Sequence, residues 1–201
     1  KVKYNLPMQP GEEYPRIPQV ERANSVWISE FDLKEAIRQT IFSVSDNDSN
    51  KMMTGELFEI NGKNMKVVSL DGHRIAMRNI RLGENYAAKK VVIPGKTLVE
   101  IGKVISSDPE SMIGLFFTDN HVMFEMEKIV AVSRLIEGEY FKIDTLMNTE
   151  YHTKLMIAKK DLQECISRAG ILQKRDENKP VVMDIRKGGM ELKVTTPLGS
   201  M

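Results

Sequence analysis

Residues 70–76 read LDGHRIA, with Asp71 and His73 two apart, Gly72 between them and Arg74 alongside. An acid and an imidazole at that spacing can orient one another for proton transfer. They can also be two ligands of a metal that still needs a third. A hydrolase built on Asp71, His73 and Arg74 is the enzymatic reading of this cluster. The rest of the chain offers it no companion nucleophile, no third ligand at regular spacing and no Gly-rich phosphate loop. The acidic stretch SDNDSNK (45–51) also fails as a calcium loop. An EF-hand starting at Asp46 needs Gly at its sixth position and Glu at its twelfth, and these are Lys51 and Leu57. No cofactor and no metal are expected.

The elements that must carry LDGHRIA show a repeat. ISEFDLKEAI (28–37) and IAKKDLQECI (157–166) share Ile28, Asp32, Leu33, Glu35 and Ile37 with Ile157, Asp161, Leu162, Glu164 and Ile166. Each copy continues through a helical pattern, a polar loop and two strand patterns turned at a glycine. Those turns are predicted at Asn61-Gly62 in GELFEINGKNMKVV and at Gly188-Gly189 in VVMDIRKGGMELKV, because Asn and Gly tolerate positive φ. The first copy continues past its hairpin: KKVVIP (89–94) reads as a strand and 94–107 as a helix opened by Pro94. MIGLFFT (112–118) and HVMFEME (121–127) read as strands turned at Asp119-Asn120, and KIVAVSRLI (128–136) completes the series.

Each predicted helix has two faces. From Asp32 to Val44, Leu33, Ala36, Ile37 and Ile41 share one side at helical spacing, with Lys34 and Arg38 on another. After Pro94, Leu98, Ile101 and Ile105 form the stripe, with Lys96 and Lys103 aligned apart from it. On the third helix Leu162, Ile166 and Ala169 face inward and Lys160 and Arg168 outward. One such cationic face is ordinary solvated surface. Three in one chain fit a surface that meets phosphates without reading bases.

Composition limits how strong that surface is. Twenty-nine basic residues stand against 28 acidic ones, for a net charge of +1 over 201 residues, so the protein does not grip nucleic acid over its whole surface. Cys165 is the only cysteine, which excludes a disulfide within the chain and suits a reducing cytosol. No apolar run approaches the roughly 20 residues of a membrane span, so a cytoplasmic location is expected. Pro7, Pro10, Pro15 and Pro18 mark the first twenty residues as an extended connector.

The chain resembles the β sliding clamps of bacterial DNA polymerase III. FDLKEAIRQTIFSVS is similar to the first helix of their middle domain, TGELFEI and LDGHRIA to the strand pair that leads into their T-D-G-H-R-L-A segment, and SRLIEGEYF to their L-[IV]-[ED]-G-x-[FY]-P stretch. The resemblance implies an α+β DNA-clamp fold, an internally duplicated domain of helices packed on antiparallel sheets. It implies the tail of a first clamp domain at 1–21, a complete middle domain at 22–147 and the first half of a third at 148–201. It also implies a non-catalytic processivity factor. The whole protein would be a homodimeric ring around duplex DNA, bound without sequence specificity, and the present chain would be a monomer.

Further implications concern sites. LDGHRIA would help wall a pocket for short linear peptides of polymerases, the clamp loader and repair proteins. Its residues here would be Met53, Leu70, Gly72, His73, Arg74, Ile75, Phe141 and Leu146. Lys34, Arg38, Lys96, Lys103, Lys160 and Arg168 would face DNA, together with Asn47, Asn50 and Lys51 in the loop after the first helix. An adaptor that binds peptides without enclosing DNA is the alternative. Leu70 stands where the family commonly has Thr, and Phe141 and Asn148 stand where it often has Pro, so the pocket's shape is expected to differ.

Overall fold

The computed structural model describes every residue except 1, 2, 9, 14–19, 21, 23, 24, 48, 148, 149, 172–179, 197, 198 and 201. Pro15, Pro18 and Asn148 lie outside the described residues, and with them much of the expected connector. The chain divides into two compact units, Lys1–Lys142 and Ile143–Met201. The break falls earlier than the expected boundary at 147.

The first unit holds strands β1 (Val26–Ser29), β2 (Gly55–Leu70), β3 (Ile75–Pro94), β4 (Met112–Phe117), β5 (His121–Glu125) and β6 (Val130–Arg134). Helix α1 (Glu30–Thr40) follows β1, and α2 (Gly95–Val104) follows β3. Four strands form one antiparallel sheet in the order β1-β4-β5-β6, while β2 and β3 form a long hairpin. Strand, helix and hairpin thus occur twice in succession, the duplication expected of the unit. The second unit holds α3 (Ile143–Met147), α4 (Lys159–Ile171) and a hairpin of β7 (Val182–Arg186) and β8 (Gly189–Lys193). Helix α4 opens at Lys159 as α1 opens at Glu30, in step with the ten-residue repeat.

One core joins both sheets and both helices of the first unit. Leu33, Ala36 and Ile37 of α1 and Leu98 and Ile101 of α2 meet Phe58, Met65 and Val67 of β2, Ile93 of β3, Leu115 of β4 and Phe124 of β5. The apolar stripes read from helical spacing are therefore the buried ones, since one face of each helix must leave water. On α4 the expected stripe does not hold. Ala169 is buried, Leu162 is half-buried and Ile166 is exposed.

The Asn61-Gly62 turn is also corrected. Strand β2 runs straight through it, and the hairpin reverses at Asp71–Arg74 instead. Gly62 does take a positive φ of 58°, but as a bulge with register shifts on either side. A bulge and a tight turn make the same demand on one residue, so local sequence does not separate them. In the second unit the Gly188 turn does close a hairpin, with φ 89° and Arg186 paired to Gly189.

Candidate functional site

The LDGHRIA segment is the tip of the long hairpin. Leu70 pairs with Ile75, and the Asp71 N–H donates to the Arg74 carbonyl at 3.3 Å. Gly72 takes a φ of 88°, which a side chain would strain. The Asp71 carboxylate accepts the backbone N–H groups of His73 (3.0 Å) and Arg74 (2.9 Å), and also Arg74 Nε (2.9 Å) and Nη2 (2.6 Å). Four donors fill the acceptor sites of one carboxylate. Asp71 is thereby held ionised, its carboxyl lowered to about 2, first by the guanidinium and then by the backbone donors. It shapes the turn and has no acceptor site left to serve as a base or a ligand. Among the described residues, no group of three or more His, Cys, Asp or Glu side chains is placed to hold a metal.

What the tip presents outward is apolar and cationic. His73, Arg74 and Ile75 are exposed, and the Arg74 guanidinium lies 5.9 Å over the Phe42 ring. Phe42 sits in a 3-10 turn (Ile41–Ser43) directly after α1 and is itself exposed. Sequence reasoning missed it, although an aromatic residue just off the buried stripe of α1 was the available signal. Leu70 is only 3% exposed, so it supports the tip from within and is not open wall. Met53 lies half-buried in a second 3-10 turn, Lys51–Thr54, where its carbonyl accepts the Ser45 N–H at 2.8 Å.

The segment 135–141 is hydrogen-bonded to both strands of the hairpin. The Ile136 N–H donates to the Val92 carbonyl at 2.9 Å, and the Tyr140 hydroxyl donates to the Val68 carbonyl at 3.3 Å. Phe141 packs edge-on against Tyr140 with ring centroids 5.6 Å apart. The structure therefore brings Phe141 to the strand that ends in Leu70, through Tyr140, a residue the sequence reading did not single out. Leu146, on α3, is exposed and belongs to the second unit.

The expected DNA-facing residues sort by what already holds them. Lys34 is half-buried, and its ammonium donates to the Ile105 carbonyl at the end of α2 at 2.9 Å. It ties two helices together instead of pointing outward, which corrects its assignment. Arg38 is exposed and bound bidentately by Glu35 at 2.7 Å, and Lys103 meets Glu100 at 2.7 Å. Surface pairs of this kind contribute little, so a phosphate can displace the carboxylate. Lys51 and Lys96 are exposed. Asn47 and Asn50 are exposed, but their side-chain oxygens accept from Ser49 and Met52 N–H and shape the loop. On α4, Lys160 lies 4.0 Å from Glu164, and Arg168 donates to Cys165 Sγ at 3.3 Å.

Two helices on antiparallel sheets and a repeated strand-helix-hairpin order define an internally duplicated α+β domain. Residues 28–142 match the central domain of the DNA polymerase III beta subunit, and the chain belongs to that family. It is 33% identical over 195 residues to a beta sliding clamp of Staphylococcus aureus, covering 97% of this chain and 52% of that protein. The crystal structure of a DNA polymerase III beta subunit from Eubacterium rectale superposes with a TM-score of 0.94 at 51% identity, over all of this chain and 55% of that one. A DNA polymerase sliding clamp from Bacillus subtilis gives 0.88 at 27% identity, over 94% and 50%. The chain thus spans about half the length of the relatives it matches.

Proposed function

We propose that this chain is part of a DNA polymerase processivity factor, a non-catalytic sliding clamp. The whole protein would close as a homodimeric ring around duplex DNA. Residues 22–147 act as its middle domain, flanked by the end of a first domain and the start of a third. The family match over 28–142 supports this, and so does a helix pair whose outward Arg38 and Lys103 are paired, among the described residues, only to Glu35 and Glu100 of their own helices. Such a lining screens phosphate charge without gripping it, which suits sliding. Arg38, Lys51, Lys96 and Lys103 are the residues of the first unit proposed to meet DNA, with Lys160 and Arg168 in the second.

Polymerase, clamp-loader and repair proteins would dock by short linear peptides at the hairpin tip. The observation that carries this is Arg74 lying over the exposed ring of Phe42 beside exposed Ile75. That patch offers an apolar anchor surface with a cationic rim. The test is fluorescence polarisation of a labelled Gln-x-x-Leu-Phe peptide against the full-length protein and this chain. Binding near micromolar, about −8 kcal/mol, lost at least tenfold in Ile75→Asp, is expected for the full-length protein. Equal affinity in that variant would remove the tip as the partner site.

A further inference from the structure

Beneath the hairpin tip lies a buried polar chain that the peptide reading does not use. Glu56 on β2, Thr40 at the end of α1 and Ser69 on β2 are all fully buried. Thr40 Oγ1 lies 2.8 Å from the Ala36 carbonyl and 2.9 Å from Glu56 Oε1. A hydroxyl carries one hydrogen, and a carbonyl only accepts. One hydrogen cannot serve both acceptors, so the two contacts are satisfied together only when Glu56 holds a proton and donates it to Thr40. The Thr40 carbonyl in turn accepts the Ser69 hydroxyl at 2.5 Å, one residue before Leu70. Glu56 Oε2 has no hydrogen-bond partner, as is tolerable for a neutral carboxyl and costly for a carboxylate.

We propose that Glu56 is a positioning residue, kept protonated, whose neutral carboxyl latches the end of α1 to β2 through Thr40 and Ser69 and so holds the 70–75 tip in shape. That the tip is where partners dock rests on the function proposed above; the latch itself does not. Burial pushes the Glu56 carboxyl up to about 8, with the Thr40 hydroxyl acting in the opposite sense. Charged groups on the two elements it joins are engaged elsewhere. On α1, Lys34 binds the end of α2 and Glu35 binds Arg38. On the hairpin, Glu59 pairs with Lys66 and Lys90. The Tyr140 phenol is pushed up by burial and then by charge on Glu56.

The experiment is amide hydrogen exchange at residues 69–75 of this chain from pH 5 to 9, corrected for intrinsic exchange, with no peptide present. If opening the latch exposes Glu56 to water, protection at the tip should fall by up to tenfold per pH unit and level off near pH 8. Glu56→Gln keeps a donor for Thr40 and cannot ionise, so its protection should be flat with pH. Ser69→Ala cuts the link to the tip, so residues 70–75 should lose the pH slope while 36–40 keep it. A flat wild-type profile, or the wild-type slope in Glu56→Gln, would overturn the latch. Failure of peptide binding alone would leave these profiles unchanged and count only against the docking role.

Discussion

Lys34→Met separates the cations that build the helix pair from those that face DNA. The Lys34 ammonium reaches the Ile105 carbonyl, while Glu30, one turn earlier on α1, accepts the Ser106 N–H. Together they bracket the exit of α2, the ammonium meeting the carbonyl of the residue after the helix and the carboxylate the next N–H. Methionine keeps the apolar stem and removes the donor. A hydrogen bond to a charged group is worth about 1.5–3 kcal/mol, and half-burial places this one near the lower end. Taking about 1.5 kcal/mol and a urea slope of about 2 kcal/mol per molar, the midpoint should drop by roughly 0.75 M. Trp27 on β1 is the only tryptophan, so its fluorescence follows the first unit through the transition. Lys96→Met, at an exposed position, should leave the midpoint within about 0.2 M. In the full-length ring, Lys96→Met should instead lower the salt dependence of DNA binding by close to one phosphate contact, a slope change of about 0.9. Equal midpoints for the two variants would refute the assignment of Lys34 to the helix clasp.

Three further outcomes follow from the same geometry. The folded carboxyl of Glu56 is raised from 4.5 to about 8, so its contribution to stability is complete below pH 4.5 and declines up to pH 8; melting of wild type should show this fall, at most about 1.4 kcal/mol per pH unit, and Glu56→Gln should not. Gly55→Ala would place a Cβ 2.7 Å from the Ile93 carbonyl and 2.8 Å from Ile136 Cδ1; backbone on one side leaves little room to relax, and a loss of about 1–3 kcal/mol in denaturant titration is expected. Asp71 is the opposite case to Glu56, with its folded carboxyl lowered from 3.8 to about 2, so its hold on the turn persists above pH 3.8 and is lost as pH falls toward 2. The amide resonances of His73 and Arg74 should move together over that acid range, and Asp71→Asn should abolish the shared transition.

Much of the fold was legible because period decides element type. The stripes Leu33, Ala36, Ile37 and Leu98, Ile101, Ile105 gave both helices of the first unit and their buried sides, and the family resemblance rested on contiguous motifs. The LDGHRIA cluster was picked out by residue type alone. Its role was not, because the Asp71 carboxylate is occupied by the Arg74 guanidinium and by backbone donors that converge on it only once the turn has formed. The Asn61-Gly62 pair shows the same limit, since a positive φ serves a bulge as well as a turn and only continued pairing tells them apart.

Charge patterns on α1 and α2 placed the cations on the correct elements, but a side chain's availability depends on neighbours far along the chain. Lys34 meets a carbonyl 71 residues away, and only packing of α1 against α2 takes that lysine from solvent. Glu56 is another such case. Its place in a strand was readable, yet its burial against the end of α1, which decides whether it carries a proton, is a property of the assembled unit. Residue type and spacing thus determined the helices, strands and family of this protein. Tertiary structure decided which polar groups are left free to act, because desolvation and hydrogen-bond partners are set by contacts between segments distant in sequence.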